Sequence, residues 1–269
     1  MPSVATARVA APLLVLALLA GACSSQSQGS NVDPEQVDAT DAPQVEACRV
    51  LTPPDVAQPS NATATVDCSQ AHTAQTILVA DFPAELADAA YDDPGLGAHA
   101  YTACSAEFRS RLGADDSTAL RTVLNWAWFR PSEAAWKEGA RWFRCDVVGG
   151  TDQSREFVDL PPTLDNVLQG RPDDRWLVCA RGQTVSGAVK VPCSQRHTWR
   201  AVTTIKLGEP GDPYPGDRVV EVRTRDFCST SVGVWLNYPV DYDFAYTWFH
   251  EAEWKAGNRR SVCWARTKL

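Results

Sequence analysis

The sequence predicts an α+β protein of two tandem small domains, each an antiparallel sheet with one main helix and two disulfides. Two observations lead to this prediction. The motif C-S-Q-x-H occurs at Cys68–His72 and again at Cys193–His197. Each copy lies in a block of four cysteines that closes with W-K-x-G-x-R and a last cysteine. A block that recurs in this way indicates two copies of one module.

The N-terminus is typical of a bacterial export signal. Arg8 precedes an apolar run, Val9–Ala20, that is too short to span a bilayer as a helix. Small residues then lead directly to Cys23, as in a lipobox. We expect residues 1–22 to be removed and Cys23 to carry lipid, which would hold the protein on the extracytoplasmic face of the cell membrane. Plain cleavage before a cysteine is the alternative.

The organisation behind the signal follows from composition. Residues 23–43 contain few apolar side chains, so we expect a disordered tether. The first module is predicted at 44–150 and the second at 172–269. Residues 151–171 would form a linker, which Pro161 and Pro162 stiffen and whose polar residues favour exposure.

The net charge of −8 argues against a nucleic-acid partner, because binding to phosphates needs clustered Lys and Arg. It also argues against adhesion to anionic lipid by charge. No nucleophile elbow, H-E-x-x-H motif or phosphate loop occurs in the sequence. We therefore predict no enzymatic activity and no cofactor.

Nine cysteines are present, and setting Cys23 aside leaves an even number. We predict disulfides among Cys48, Cys68, Cys104 and Cys145, and among Cys179, Cys193, Cys228 and Cys263. Four cysteines allow three pairings, and the sequence does not choose between them. A zinc site through Cys68 with His72, and Cys193 with His197, is an alternative. The cysteine spacing does not favour it, so we predict no metal.

In the first module, β-branched residues predict strands at 62–67 and 73–80, on either side of the C-S-Q-x-H turn. A helix is predicted at 97–112, because Tyr101, Cys104, Phe108 and Leu112 follow helical spacing. This places Cys104 on the buried face, where a disulfide can join the helix to the sheet.

Two further strands are predicted at 124–129 and 142–148. Between them, Pro131–Glu133 starts a short helical turn that ends near Gly139. In the second module, Asp217 is the expected cap of the main helix. Aligning the modules places Trp128 and Phe129 opposite Trp248 and Phe249, with a two-residue deletion.

The order V-x-C-S-x-x-H, P-G, a helix with Cys, W-x-x-G-x-R and V-C resembles the septum-formation domain family. In the first module the resemblance lies in Val66, Cys68, His72, Pro94, Gly95, Cys104, Pro131, Trp136, Gly139, Arg141 and Cys145. In the second it lies in Val191, Cys193, His197, Tyr214, Pro215, Gly216, Cys228, Trp254, Gly257, Arg259, Val262 and Cys263. The resemblance implies two copies of the domain in an exported actinobacterial lipoprotein, in a cell-envelope or division setting. It implies no reaction.

Three groups of residues are candidates for a binding surface. His72 and His197 either contact a ligand or hydrogen-bond their own turn. Arg141 and Arg259 either bind a partner or hold the module together. The aromatic residues of the two modules either form core or stack on sugars or a protein; they are Trp126, Trp128, Trp136 and Trp142, echoed by Tyr246, Trp248 and Trp254. Strand alternation would place Trp126 and Trp128 on one face.

From these residues we predict a lipid-anchored, non-enzymatic envelope protein. Its unknown partner would be another envelope protein or a wall polymer, and the process could be septum formation. The alternative is a protein that binds or processes cell-wall glycan through exposed Trp residues.

Overall fold

The structure, a computed structural model, describes residues 31–151, 154–255 and 257–267. The first half contains β1 (Cys48–Arg49), α1 (Pro53–Val56), β2 (Thr65–Val66), β3 (Ala74–Asp81), α2 (Pro94–Leu112), α3 (Asp116–Ala119), β4 (Asn125–Phe129), α4 (Glu133–Lys137) and β5 (Trp142–Val148). The second half contains β6 (Val178–Arg181), β7 (Val189–Pro192), β8 (Trp199–Lys206), α5 (Asp217–Trp235), β9 (Phe244–Thr247), α6 (Glu251–Lys255) and β10 (Arg260–Arg266). Cys23 lies outside the described residues. None of the described helices is long and apolar enough to cross a membrane.

Each half is built on a five-stranded antiparallel sheet. The strand order is β2-β1-β3-β5-β4 in the first and β7-β6-β8-β10-β9 in the second. The two orders correspond strand for strand, and each sheet has one 19-residue helix, α2 or α5, packed against it. The predicted α+β fold with two antiparallel sheets is confirmed.

All eight described cysteines form disulfides, and each disulfide lies within one half. The pairs are Cys48–Cys68, Cys104–Cys145, Cys179–Cys193 and Cys228–Cys263. In each half one disulfide ties the first strand of the sheet to the C-S-Q-x-H turn, and the other ties the long helix to the sheet. The structure thus selects one of the three pairings that the sequence left open, and the same one in both halves.

Helix α2 begins three residues before the predicted start. Pro94 occupies the first turn, and the carboxylate of Asp93 accepts a hydrogen bond from the Gly95 amide at 2.7 Å. Both features favour a helix start, because proline lacks the amide that the first turn leaves unpaired and aspartate satisfies another. Cys104 and Phe108 lie on the buried face, as predicted from their spacing.

The predicted cap of α5 is wrong. Asp217 is the first helical residue, and Gly216 stands at the cap position without a side-chain hydrogen bond. The Asp217 carboxylate instead accepts from the hydroxyl of Tyr214. Burial of Tyr214, together with that contact, raises the pKa of its hydroxyl to about 12. Helix α5 therefore starts without the side-chain cap that Asp93 gives to α2.

The register of the sheets corrects the alignment of the two modules. Trp128 pairs with Cys145 in the first sheet, and Tyr246 pairs with Cys263 in the second. Tyr246 therefore occupies the place of Trp128, and Trp248 lies beyond the end of β9. The sequence match of Trp128 with Trp248 aligned residue types rather than positions.

Residues of the expected linker are packed on the first module instead of being exposed. Leu160, Leu164 and Leu168 are buried in the core that α2 covers. Their backbone is held as well, since the Leu160 amide donates to His72 O at 2.8 Å and the Leu168 amide to Leu112 O at 2.8 Å. The prolines and polar residues of this segment predicted exposure, but the free energy gained by burying three leucines is larger than the preference of the polar residues for water.

The second half of the expected tether is also attached to the first module. Val32 forms an isolated β-bridge with Thr63, and the Asp33 amide donates to Ala62 O at 2.8 Å. The Ser132 hydroxyl donates to the Asp38 carboxylate at 2.6 Å. The prediction of disorder is therefore wrong for residues 31–43, because backbone pairing supplies stability that the composition does not reveal.

A charged network is buried on the sheet face opposite α2. Arg144 Nε contacts the Asp146 carboxylate at 3.1 Å, and the same carboxylate accepts from the Thr76 hydroxyl at 2.7 Å. Arg49 Nη1 donates to that hydroxyl at 2.8 Å. Arg49, Arg144 and Asp146 are at most 1% exposed, and burial beside Arg144 lowers the pKa of Arg49 to about 10. The Asp146 carboxylate thus contacts the Arg144 guanidinium directly and is linked to the Arg49 guanidinium through the Thr76 hydroxyl.

Candidate binding cleft between the two halves

The halves are joined by backbone pairing where the second half begins. Thr122 and Leu177 form a β-bridge. The Val123 amide donates to Trp176 O at 3.0 Å, and the Thr122 hydroxyl donates to the same oxygen at 2.6 Å. Trp176 is buried in the core of the first half, while Val123 packs against the core of the second. Each half thus buries a side chain of the other.

A second contact joins α2 to the turn of the W-K-x-G-x-R motif in the second half. At Gly257, where φ is +102°, an added Cβ would stand 3.0 Å from a ring carbon of Tyr101. At the equivalent Gly139, an added Cβ would have no atom within 4 Å. Both glycines have the positive φ that the turn requires, but only Gly257 also lies against the other half.

Between these two contacts lies a cleft with a volume of ≈ 430 Å³. Pockets of this size hold small organic ligands or short polymer segments. Four cationic side chains line it: Arg109, Lys206, Arg259 and Arg260. The acidic residue of the lining is Asp116. A protein of net charge −8 thus concentrates positive charge at the junction of its halves.

Carboxylates neutralise only part of this charge. Asp116 is shared, at 3.4 Å from Arg109 Nε and 3.6 Å from Arg260 Nη2. Lys206 contacts Glu209, which stands next to the cleft. Glu253 lies near Tyr101 as well, so three carboxylates stand near four cations and a small excess of positive charge remains. Such an arrangement favours an anionic ligand, which would reduce the repulsion between the cations.

Two aromatic rings lie beside the cations. Tyr101 and Trp126 meet edge to face, with ring centroids 5.4 Å apart. Burial raises the pKa of the Tyr101 hydroxyl, so Tyr101 remains a neutral hydrogen-bonding group. Trp126 is only partly buried and lines the cleft. The cleft therefore combines charge with an aromatic surface.

The structure brings together two of the residues that the sequence singled out, Trp126 and Arg259, which come from different halves. His72 and His197 lie elsewhere and are buried. Nδ1 of each ring contacts a backbone oxygen of its own turn, Gln70 O at 2.8 Å and Gln195 O at 2.7 Å. Of the two roles considered for these histidines, ligand contact or a hydrogen bond within the turn, the structure shows the hydrogen bond within the turn.

Both arginines of the repeated motif bind backbone and stack on the motif tryptophan. Arg141 donates to Trp136 O at 2.7 Å, with its guanidinium 4.2 Å from the Trp136 ring. Arg259 donates to Trp254 O and lies 3.8 Å from the Trp254 ring. The repeated contact is structural, since it closes the turn after α4 or α6. Arg259 additionally lines the cleft, and its Nε is buried without a hydrogen-bond partner among the described residues.

Trp128 and Trp248 are partly buried and lie outside the cleft. Trp128 shares a face of β4 with Trp126, as alternation predicted, and both pack against the first core. Trp248 packs beside Phe249 and Trp254, with its ring centroid 4.1 Å from that of His250. Trp128 therefore continues the row of Trp126 along β4 outside the cleft, whereas Trp248 packs against the core of the second half.

A further cavity, ≈ 490 Å³, lies under residues 32–38. Its lining has Arg130 together with Asp38, Asp55 and Glu133, so its charges are mixed. Arg130 stacks on Tyr91 at 4.1 Å. Of the residues that the sequence predicted for binding, Trp142 lines this cavity, and its side chain is largely buried.

The sequence does not predict most of the cleft. The spacing of Tyr101 predicts only its place in the helix, and no motif marks Arg109, Asp116, Lys206 or Arg260. These residues come from α2, α3, β8 and β10. No local motif includes these residues together. The only signal in the sequence is the excess of cations near the ends of elements, and the repeat assigns those elements to different modules.

Every cysteine of the described chain is oxidised, so Cys68 and Cys193 present no thiolate to zinc or to a substrate. Within 31–151, 154–255 and 257–267, no group of three or more His, Cys, Asp or Glu side chains has the arrangement of a metal site.

The fold and the cleft define a class: an α+β protein of two disulfide-held sheets that pack on each other around a cationic, aromatic cleft. Within that class, the chain belongs to the septum-formation family, whose family model matches residues 55–263. The match runs through both sheets as one span. Comparisons with curated proteins and with solved structures returned no match.

Proposed function

We propose that this protein is a lipid-anchored, non-enzymatic component of the cell envelope that binds an envelope partner in the cleft between its two halves during septum formation. Membership of the septum-formation family supports the division or envelope setting. The observation that carries the binding role is the cleft itself, which exists only where both halves meet. The matching strand orders further support two tandem copies of one domain.

Anchoring at Cys23 would hold the protein close to the membrane. Asn31, the first described residue, is held on the first module, because its carbonyl accepts from the Ala64 amide at 2.8 Å. Residues 24–30 lie between Cys23 and Asn31 in the sequence, and a stretch of that length reaches at most about 25 Å. The partner would therefore be a molecule of the membrane surface or of the adjacent wall.

Anchoring is tested in the bacterium that makes the protein. We expect Cys23→Ala to move the protein from the membrane fraction to the soluble extracytoplasmic fraction, with no fatty acid incorporated. A matched Ser24→Ala variant should remain in the membrane fraction. Equal membrane recovery of both variants would refute the lipid anchor.

Binding is tested by filling the cleft. Ser105 lies on the cleft side of α2, whereas Ser110 of the same helix is exposed and does not line it. We expect Ser105→Trp to abolish cross-linking of the full-length protein to its envelope partner, and Ser110→Trp to leave it unchanged. Equal cross-linking by both variants would show that the partner binds elsewhere.

A second candidate is a protein that binds or processes cell-wall glycan. The position of Trp126 in the cleft favours it, because an accessible indole ring can stack on a sugar. Sedimentation with purified wall polymer tests this candidate. Depletion of the protein, lost in Trp126→Ala, would support it, and no depletion would eliminate it.

A further inference from the structure

We propose that the cleft between the halves binds an anionic saccharide, a chain whose sugar rings carry carboxylate or phosphate groups. This inference rests on the proposed function, and it names the chemistry of the ligand at the same site. It depends on the combination of unbalanced cations with an aromatic surface in one cavity.

Two cations of the cleft retain unused hydrogen-bond donors. Arg109 and Arg260 share the single carboxylate of Asp116. Their side chains are 39% and 24% accessible. A bound carboxylate or phosphate would accept from the remaining guanidinium donors, and such charge-assisted bonds are the strongest hydrogen bonds that side chains make. Acidic groups nearby, Glu209 and Glu253, do not line the cavity.

The aromatic wall of the cleft suits the uncharged part of the ligand. A cleft for a bare inorganic anion needs no aromatic wall, yet Tyr101 and Trp126 form one here. Indole and phenol rings accept the apolar C–H face of a sugar, and the tyrosine hydroxyl offers a hydrogen bond. Asn125 and Asn258 add amide groups that suit sugar hydroxyls.

The geometry favours a saccharide over a single-stranded nucleic acid. Binding of nucleic acid relies on rings that stack on successive bases along a positively charged groove. The two rings here meet at an interplanar angle of 69°, so they do not form parallel platforms. The four cations line one cavity of a protein whose net charge is −8.

The test uses the full chain without its signal and titrates four probes: tetragalacturonate, its methyl ester, a phosphorylated maltotetraose and a thymidine tetranucleotide. We expect both anionic sugars to bind, more weakly as salt rises, and the methyl ester to bind at least about tenfold more weakly. The stronger of the two anionic sugars identifies the source of the charge. Equal binding of the ester, tighter binding of the tetranucleotide, or no binding of either anionic sugar would overturn the inference.

Matched variants locate the binding. We expect Lys206→Gln with Arg260→Gln to weaken the anionic sugars about tenfold. Arg175→Gln with Lys255→Gln removes the same charge from exposed positions outside the cleft and should change nothing. Equal losses in both pairs would reduce the effect to net charge and refute the site.

The two proposals fail separately. If Ser105→Trp abolishes cross-linking to the envelope partner but no anionic sugar binds, the ligand chemistry is wrong and the cleft remains the binding site. If Ser105→Trp has no effect on cross-linking, the proposed function itself fails.

Discussion

At the scale of single residues, the two halves use different chemistry at matching positions. The disulfides align Arg49, Arg144 and Asp146 with Ala180, Val262 and Trp264. Thr76 likewise matches Ala201, counted from the repeated histidines. One fold therefore tolerates either a buried ionic network or apolar packing at the same place.

This comparison predicts how the network responds to substitution. We expect Asp146→Leu alone to lower the free energy of unfolding by about 3–5 kcal/mol, because it leaves two buried guanidinium groups without a carboxylate. The fourfold variant Arg49→Met, Thr76→Ala, Arg144→Met and Asp146→Leu should lose less, since it replaces the whole network with apolar side chains. Urea denaturation measures both, and a fourfold variant less stable than the single one would contradict the prediction.

At the scale of elements, the disulfides differ in the length of chain that they close. In the second half, Cys228–Cys263 joins α5 to β10 with a sequence separation of 35, while Cys179–Cys193 closes a hairpin with a separation of 14. All four sulfurs belong to fully buried residues, so the packing lost on removal is similar. The difference in stability then reflects mainly the unfolded chain.

We expect removal of Cys228–Cys263 by paired Cys→Ala substitutions to cost about 0.8 kcal/mol more than removal of Cys179–Cys193, from the loop-length dependence of chain entropy. Midpoints of urea unfolding for the two double variants give the comparison. A hairpin variant that is the less stable of the two would show that enthalpic effects dominate.

At the scale of the whole molecule, the segment before the first strand is part of the folded unit. Residues 31–38 supply backbone pairs to 62–64 and a side-chain contact to Ser132. Hydrogen bonds of this kind contribute on the order of 1 kcal/mol each. The N-terminal segment is therefore both an attachment to Cys23 and a covering layer of the first module.

We expect a chain that begins at residue 44 to be less stable by about 2–3 kcal/mol than one that begins at residue 31. Thermal unfolding of the two chains decides this, and equal midpoints would mean that the segment contributes nothing.

Local sequence signals were sufficient for α2, α4, β3, β4 and β5, whereas no sequence pattern predicted β1, α1 or α3. The spacing of Cys104 and Phe108 predicted α2, and Ser132 and Gly139 marked the ends of α4 and its turn. The repeat of C-S-Q-x-H and of the cysteines predicted two similar halves with two disulfides each. These signals act over a few residues or within one module, so they can be read without knowing how distant parts of the chain pack.

Only the tertiary structure decided the disulfide pairing, the burial of Leu160, Leu164 and Leu168, and the attachment of residues 31–38. It also decided the cleft, where Arg109 and Trp126 of one half meet Lys206 and Arg260 of the other. The physical reason is the same in each case. These contacts join residues far apart in the chain, and their free energy depends on the shape of two completed surfaces, which no local pattern of residues records.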